Sequence, residues 1–483
     1  MTDPSVADLA KSLGDTQTAL NIVWTLVAGF LVMFMQAGFA LVETGLVRAK
    51  NVAHTMGMNF LVYSIGVLGF WAVGFGLQMG GVGAVFGDDA HLTGEFTINL
   101  FGHTMGLFGT KGFFLTSGAF TTGVAATFLF QMVFMDTTAT IPTGAMAERW
   151  KFSGFVLFSF FIAALIYPIF ANWTWGGGWL ATLGTNFGLG HGHVDFAGSS
   201  VVHMTGGVIG LVGAWKLGPR IGKFGPDGKP RPIPGHNMTM VVVGTFILAF
   251  GWFGFNAGST LSGMDGQIAI VAVNTMLASA SGAFLGYLWS KVRFGKPDVS
   301  LLCNGMLAGL VAITAPCAFV DAPIAILIGA ISGVLVIEAA LFIERVMKID
   351  DPVGAVAVHG VNGAFGVLAI GLFANGKYGA GLNGVDGGVT GLFYGGGMGQ
   401  LIAEAIGVVT NFIWVGGTAL AAYKIVDMLV GHRVKAEDEV EGLDIPEMGV
   451  VGYSAEPGKV VPPELAGDSA PVAAPAMSAA EPA

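Results

Sequence analysis

Two histidines, His203 and His359, each follow an aspartate by eight residues, Asp195 in one case and Asp351 in the other. Both histidines continue into apolar sequence that is punctuated by glycines. Neutral imidazole donates one hydrogen bond, accepts another, and exchanges a proton near neutral pH. Two such groups in apolar surroundings could pass a small polar molecule, or its proton, through a dry environment.

The aspartates predict where these two segments become helical. An aspartate that opens an apolar run is typical of a helix N-cap, and Pro352 stands where a first-turn proline is tolerated. Eight helical residues rise about 12 Å, so in a span across a hydrocarbon core of roughly 30 Å each histidine lies near the midplane. Ionisable side chains at that depth are costly and mark a pathway or a site. We interpret Asp195 and Asp351 as structural helix caps. Asp195 is also expected to give a negative charge to the outer end of any pathway that passes the histidines.

The composition excludes an ordinary soluble domain. The 483 residues are 53% hydrophobic and 11% charged, whereas soluble domains have about 25% charged residues. The net charge of −10 and the lack of a basic cluster with interleaved aromatics give no indication of nucleic-acid binding. Cys303 and Cys317 share one apolar segment, so we expect neither a disulfide framework nor a cysteine metal site. Residues 1–18 are polar without a basic start, so no signal peptide is expected.

Recurrent apolar runs of about 20 residues predict an all-α, polytopic membrane protein. We predict eleven transmembrane helices, with an odd number required by the distribution of lysine and arginine. Basic residues follow every odd-numbered span, which places the N-terminus outside and the C-terminus in the cytoplasm. The predicted spans are 20–46, 56–80, 118–146, 153–171, 198–217, 238–260, 267–290, 299–316, 323–347, 354–373 and 395–428.

In this topology the two histidine helices run in opposite directions, five spans apart. This predicts two inverted five-helix repeats, about 20–217 and 238–373, with an eleventh helix at 395–428 appended. Inverted repeats place a transport site at the midplane between the two halves. Glycines along the histidine helices allow the close helix approach that membrane packing favours.

Several motifs together resemble the ammonium transporters of the Amt/Mep/Rh group, in particular the bacterial-type Amt proteins, from about Asn21 to Tyr453. Asp195-Phe-Ala-Gly-x-x-Val-Val-His203 and the Asp350-Asp-Pro segment before His359 match the twin pore histidines of that family. Further matches are Gly251-Trp-Phe-Gly-Phe-Asn-Ala-Gly-Ser, Phe130-Gln-Met-Val-Phe and Trp173-Thr-Trp-Gly-Gly-Gly. Each motif is weak alone, whereas the combination is specific.

The resemblance implies roles for individual residues. Phe134 and Phe255 correspond to gating phenylalanines, and Trp175 and Ser259 to the outer vestibule that receives ammonium. Phe130 and Trp252, within the same motifs, join the expected pore set. No catalytic residue, metal or cofactor is implied, and the protein is expected to be a transporter rather than an enzyme.

Residue chemistry agrees with this resemblance. An indole face attracts ammonium by about 1–2 kcal/mol, and a serine hydroxyl accepts one of its hydrogens. Below the phenylalanines an apolar wall penalises any ion by several kcal/mol. Potassium and sodium cannot lose their charge, whereas ammonium can release a proton and continue as ammonia past the histidines. Selectivity by deprotonation is therefore expected.

The resemblance also implies a homotrimer in a bacterial cytoplasmic membrane, regulated at its cytoplasmic face by a PII-type signalling protein. Residues 1–19 form the predicted extracytoplasmic N-terminal segment, and 20–430 the transmembrane channel domain. Residues 431–454 resemble the cytoplasmic regulatory tail of the family. From 455 to 483 the Pro/Ala-rich composition predicts disorder.

Three alternatives remain open at this stage. An ammonium sensor on the same fold would signal through the tail, although no signalling domain is recognised in the roughly 50 residues after span eleven. A haem carrier would use His203 and His359 as axial ligands, without other supporting motifs. A carbon dioxide channel fits less well, because Trp175 and Ser259 suit a cation. The Gly190-His-Gly-His193 stretch is interpreted as a loop, and no role is assigned to Glu404.

Overall fold

The computed structural model describes residues 5–83, 86, 91–116 and 118–453, and these residues are mostly helical. Within them, nine helices are long and apolar enough to cross a membrane, so this is a multi-pass membrane protein. We label them, with two further helices defined below, in chain order. The nine are α1 Val6–Leu46, α2 Ala49–Met79, α3 Thr122–Ala145, α4 Phe152–Trp175, α6 Met238–Thr260, α7 Gln267–Phe294, α9 Ala322–Arg345, α10 Val356–Phe373 and α11 Gly399–Val430.

The other two predicted spans are helical as well, but shorter or less apolar. Helix α5 covers 199–217, as a π-helical turn Ser199–Met204 followed by an α-helix Thr205–Leu217. Its serines, histidine and glycines lower its hydropathy. Helix α8, Val299–Ile313, is apolar but has only 15 residues. The predicted number of eleven therefore exceeds the nine that qualify by length and composition in the described chain.

Helix α1 begins at Val6, well before the predicted start of its span at residue 20. Ser5 and Asp8 form a capping box, in which the Ser5 hydroxyl accepts from the Asp8 N–H and the Asp8 carboxylate accepts from the Ser5 N–H. This satisfies backbone groups that would otherwise be unpaired at the helix start. The predicted N-terminal segment is therefore largely a polar extension of the first helix.

The expectation of an all-α chain is wrong for the connection between α2 and α3. There, β1 (Glu95–Leu100) and β2 (His103–Gly109) pair as an antiparallel hairpin. Phe101 and Gly102 both adopt positive φ values, +54° and +81°, as a two-residue type I′ turn requires. Searching for 20-residue apolar runs cannot detect so short an element.

The first helices of the two predicted repeats pack along each other. A Cβ on Gly45 of α1 would lie 2.6 Å from the Asn237 carbonyl oxygen, and one on Gly254 of α6 would lie 2.6 Å from the Ala28 carbonyl oxygen. Only glycine permits this backbone approach. The fifth helices, α5 and α10, likewise meet through glycines, and this crossing positions the histidines.

The outer surface of the bundle is apolar, as contact with lipid requires. Phe246, Phe284 and Phe412 expose 64%, 57% and 55% of their surface on three different helices. Large side chains of this type would be unfavourable in water but are neutral against acyl chains.

The segment after α11 folds back against the ends of the bundle. Asp444 accepts a hydrogen bond from the His54 N–H at 3.0 Å, and Glu447 accepts one from the Phe152 N–H at 2.8 Å. Both acceptors therefore lie at helix N-termini, which attract negative charge. The remaining short helical elements are Phe113–Leu115, Leu183–Phe187, Leu382–Gly384, Leu392–Tyr394, Ala436–Glu441 and Asp444–Met448.

Candidate functional site

His203 and His359 meet at the centre of the bundle. Their Nδ1 atoms are 3.2 Å apart, and the rings are nearly parallel, at 24°, with centroids 5.2 Å apart. His203 is fully buried and His359 is 5% exposed. Each stands in a π-helical turn, Ser199–Met204 or Val356–Val361, a distortion often found at functional sites. One Nδ1 must donate to the other, so the two imidazoles share a proton position.

Asp195 fixes the start of the first histidine helix. Its carboxylate accepts hydrogen bonds from four backbone N–H groups, those of Gly198 to Val201, at 2.7 to 2.9 Å, and from the Ser200 hydroxyl at 2.7 Å. The side chain is therefore wholly occupied as a cap. The Asp195 carbonyl oxygen accepts from Trp175 Nε1 at 2.6 Å, which ties the cap to an aromatic residue of α4.

Asp351 opens the second histidine helix in the same manner. Its carboxylate accepts from the N–H groups of Gly354, Ala355 and Val356 at 2.8 to 3.1 Å. Asp351 lines a separate cavity of about 370 Å³, whose lining includes neither histidine. The two caps thus belong to different ends of the helix pair.

An aromatic column continues from the histidines. The Trp252 ring stacks on the His203 ring, with centroids 5.1 Å apart and an interplanar angle of 19°. The Phe255 ring also stacks on His203, with centroids 5.4 Å apart and an interplanar angle of 26°. Phe255 in turn stacks on Phe134 at 4.0 Å, and both phenylalanines are at most 1% exposed. The two phenylalanine rings are therefore in contact with each other and covered from solvent.

Beyond the phenylalanine pair lies a cavity of about 420 Å³, which we call the vestibule cavity. Phe130 packs on Phe134 with centroids 4.6 Å apart, and the Trp175 ring stands edge-on to Phe134 at 6.0 Å. The Ser259 hydroxyl donates to the Phe255 carbonyl oxygen at 2.7 Å, so its lone pairs stay available as acceptors. The cavity lining includes Phe130, Gln131, Phe134, Trp175, Ser259 and Asn383.

All the sequence-predicted site residues except Asp351 therefore lie along one path or directly against it. Trp252 is fully buried beside the histidines rather than in the vestibule cavity, and its Nε1 donates to the Thr314 hydroxyl at 2.8 Å. Asp195 contacts the path through its carbonyl oxygen and not through its carboxylate.

Sequence reasoning missed several residues around this path. Gln131 lines the vestibule cavity and accepts from Gln78 Nε2 at 2.8 Å. Asn383, from a distant loop, donates to the Asp195 carbonyl oxygen at 3.0 Å. The Phe39 ring lies 6.0 Å from the His359 ring. Only Gln131 had a local signal, as the polar residue between Phe130 and Phe134.

A second buried network was also missed. His193, interpreted from the sequence as a loop residue, places Nδ1 2.7 Å from the Glu404 carboxylate, and both side chains are fully buried. His193 Nε2 lies 3.0 Å from the Ser200 hydroxyl, which donates to Asp195. Helix α11 is thereby linked to the cap of the first histidine helix.

The opposite end of the two histidine helices is held by a buried ion pair. The Arg220 guanidinium donates to both oxygens of Asp350 at 2.8 and 2.9 Å, and its Nη1 lies 3.3 Å from Glu148. Burial opposes ionisation of Asp350, but the hydrogen bonds from Arg220 and the charges of Arg149 and Arg220 outweigh it and hold the pKa well below the usual value. Asp350 precedes Asp351, so this pair anchors the second cap.

The chain matches known proteins over almost its whole length. A model of the Ammonium Transporter Family matches residues 23–453. The chain is 44% identical to ammonium transporter Amt2 of Archaeoglobus fulgidus, over 93% of this chain and 91% of that protein. It is 38% identical to ammonium transporter Amt1 of Haloferax mediterranei, over 94% and 81%.

Solved structures show the same similarity. One described as a sensor Amt protein superposes with a TM-score of 0.78 at 36% identity, covering 90% of this chain and 99% of that one. The crystal structure of Mep2 from Candida albicans superposes with a TM-score of 0.72 at 27% identity, covering 87% of each chain.

Proposed function

This chain belongs to the ammonium transporter family, and from that premise we propose that it recruits ammonium in the vestibule cavity, removes a proton near the phenylalanine pair, and conducts ammonia past His203 and His359. The observation that carries the proposal is His203 Nε2. This atom is buried and has no hydrogen-bond partner within the described protein. A buried polar atom without a partner costs about 1–3 kcal/mol, and a passing ammonia molecule would satisfy it.

Recruitment rests on Trp175 and Ser259. The indole face attracts a cation by about 1–2 kcal/mol when water is partly removed. The Ser259 hydroxyl spends its hydrogen on the Phe255 carbonyl oxygen, and therefore turns lone pairs toward a donor such as ammonium. Together they suit a small cation with several N–H groups better than a neutral gas.

The phenylalanine pair acts as the gate in this mechanism. Phe134 and Phe255 stack at 4.0 Å, so one ring must move before any molecule passes. Movement of a side chain rather than a helix would suffice. Phe130, packed on Phe134, limits the directions in which that ring can turn.

Selectivity comes from the requirement to lose charge. Beyond the gate the path is lined by Trp252, Phe255 and the two imidazoles, and an ion there would lose several kcal/mol of hydration. Ammonium alone among the common monovalent cations can become neutral by giving up a proton. That proton either returns to the water of the vestibule cavity, which makes conduction electroneutral, or crosses with the ammonia, which produces a current. Ammonia can then exchange hydrogen bonds with His203 and His359. Direct contact between the Nδ1 atoms leaves no space for an iron, which argues against the haem alternative.

The architecture proposed for this function has eleven spans, with the N-terminus outside and the C-terminus in the cytoplasm. It consists of inverted repeats at about 20–217 and 238–373 and an eleventh helix at 395–428 within a channel domain of 20–430. The repeats are supported by the glycine contacts that pair α1 with α6 and α5 with α10. The orientation is supported by the lysines and arginines that follow every odd-numbered span in the sequence. The assembly is a homotrimer in the bacterial cytoplasmic membrane.

Residues 431–454 are proposed to form the regulatory tail, open to a PII-type protein at the cytoplasmic face. Support comes from Asp444 and Glu447, which bind helix N-termini in the same end of the bundle. A tail that contacts these helices can transmit a binding event to them. The low-complexity stretch predicted from 455 to 483 lies outside the described residues.

The deciding experiment is current measurement on a supported membrane that carries the reconstituted protein, after jumps in ammonium and in potassium. A saturable ammonium current without a potassium response is expected if charge moves with each ammonia. If no current appears, the internal pH of the same liposomes separates electroneutral ammonia conduction from the sensor alternative. Equal responses to ammonium and potassium would overturn the deprotonation mechanism.

A further inference from the structure

A second cavity of about 550 Å³, which we call the side cavity, lies beside the vestibule cavity. The two share Trp175, Val82, Asn383 and Gly384 as lining residues. Trp175 is held there by its hydrogen bond to the Asp195 carbonyl oxygen. The Trp175 indole therefore lines both the side cavity and the vestibule cavity, and it separates a cation in one from the other.

Glu95, the first residue of β1, lines the side cavity. Bare backbone surrounds its carboxylate, since a Cβ on Gly81 would lie 2.3 Å from Oε2 and one on Gly106 would lie 2.9 Å from Oε1. Asn172 Nδ2 donates to Oε2 at 3.3 Å, whereas Oε1 is buried without a hydrogen-bond partner. The Glu95 side chain is thus half-buried, and one of its two carboxylate oxygens is buried without a hydrogen-bond partner.

No basic side chain neutralises Glu95 within the part of the chain that the structure describes. Lys111 packs its Cγ and Cε against the neighbouring Gly94 but forms no ion pair with the carboxylate. Of the other titratable groups in the side cavity, His193 is paired with Glu404. Asp195 is saturated by backbone N–H groups, and His191 is half-buried.

Burial raises the pKa of Glu95 to about 7, although the hydrogen bond from Asn172 opposes this shift. The carboxyl group therefore changes its charge in the neutral range when no cation is bound. A bound cation would favour the ionised form, as any opposite charge does.

We propose that the side cavity is a second cation site, in which Glu95 and the face of Trp175 hold ammonium before it moves into the vestibule cavity. This inference rests on the proposed function and adds to it a recruiting carboxylate on the β hairpin. Ammonium suits the site because it is small, carries four N–H donors, and can bind a carboxylate and an indole face together.

The test compares ammonium-evoked currents of Glu95→Gln with wild type at about pH 6 and about pH 8, on either side of the Glu95 titration. Wild type should show a half-saturating ammonium concentration about fivefold lower at the higher pH, a small effect as expected for a partly exposed charge. Glu95→Gln should show the higher half-saturating ammonium concentration at both pH values. Glu95→Asp should retain the pH dependence, and Asp15→Asn, which removes an exposed charge on α1, should leave it unchanged.

A second variant decides the matter if Glu95→Gln folds poorly. Thr185 lines the same cavity and is exposed, so Thr185→Lys should place a competing cation there and raise the half-saturating concentration, whereas Thr185→Gln should not. Identical saturation in wild type, Glu95→Gln and Thr185→Lys at both pH values would overturn the second site. Absence in wild type of both an ammonium current and an ammonium-evoked change in the internal pH of the liposomes would instead overturn the proposed function itself.

Discussion

Gly207 and Gly360 touch backbone to backbone where the two histidine helices cross. A Cβ built on Gly207 would lie 2.2 Å from the Gly360 nitrogen and 2.4 Å from its Cα. His203 and His359 stand within one helical turn of this contact, and their 3.2 Å separation depends on it. A Cβ on Gly207 must therefore push the two helices apart, whereas one on Gly360 would lie 3.5 Å from the Gly207 backbone, in ordinary contact.

We therefore expect Gly207→Ala to reduce ammonium conduction strongly and to lower the unfolding temperature, because overpacking of this kind costs about 1–3 kcal/mol. Thermal unfolding in detergent and current in reconstituted membranes measure the two effects. Gly417→Ala is the matched control, since its Cβ would meet nothing within 4 Å. Equal behaviour of the two variants would show that the helices can separate without consequence.

Replacing either pore histidine should cut the polar relay. His203→Ala or His359→Ala removes the Nδ1–Nδ1 hydrogen bond and leaves the partner unsatisfied, at about 1–3 kcal/mol. We expect at least about tenfold slower ammonium conduction, or a measurable potassium current where wild type has none. His103→Ala, on the hairpin, is the control. Wild-type conduction and selectivity in both pore variants would contradict the proposed passage of ammonia along the two histidines.

Truncating one ring of the gate should widen the path. Phe134→Ala removes the ring that stacks on Phe255 at 4.0 Å, so methylammonium should be conducted faster relative to ammonium. The ratio of the two currents measures this independently of the amount of protein. Phe246→Ala, at a position 64% exposed on the surface of α6, should leave the ratio alone. An unchanged ratio in Phe134→Ala would place the constriction elsewhere.

Trp175→Leu should weaken recruitment without closing the path. Loss of a cation–π contribution of about 1–2 kcal/mol corresponds to a half-saturating ammonium concentration raised about 5- to 30-fold. The maximal current should change less, because the indole lies outside the gate. Trp215→Leu, 58% exposed in wild type, controls for the loss of an indole. A maximal current that falls while half-saturation stays constant would contradict the assignment of Trp175 to binding.

Asp350→Asn should destabilise the protein by about 3–5 kcal/mol, because it leaves Arg220 buried with an incomplete partner. The pKa of Asp350 is lower in the folded protein than in the unfolded chain. Its stabilising contribution is therefore fully present above about pH 4, the unfolded value, and is lost as the pH falls toward the folded value. Unfolding temperatures measured between neutral and acid pH test both statements.

The control for this ion pair is Asp227→Asn. Asp227 pairs with Lys229 at 3.5 Å on the surface, where the side chains are 56% and 82% exposed, and such pairs contribute at most about 1 kcal/mol. The Asp227→Asn variant should therefore have nearly the same unfolding temperature as wild type. A similar small effect from Asp350→Asn would mean that Glu148 alone suffices to hold Arg220.

Local sequence determined the elements of the site. Apolar runs of about 20 residues are enough to specify helices in a membrane, because every backbone hydrogen bond there must be made within the segment. The caps are local too, since Asp195 and Asp351 bind N–H groups three to six residues away. The prediction of eight helical residues between aspartate and histidine is wrong, however, because the helices begin at Ser199 and Val356 and the histidines stand four and three residues after those starts.

Only the tertiary structure decided what those elements meet. The Nδ1 contact joins residues 156 positions apart, and the His193–Glu404 pair joins two residues that appeared from the sequence to be a loop histidine and an unassigned carboxylate. The π-helical turns, the β hairpin and the placement of Glu95 and Trp175 around one cavity also have no 20-residue signature. Hydropathy and spacing determine how far along its helix a side chain lies. Glycine contacts between helices determine which side chains face each other.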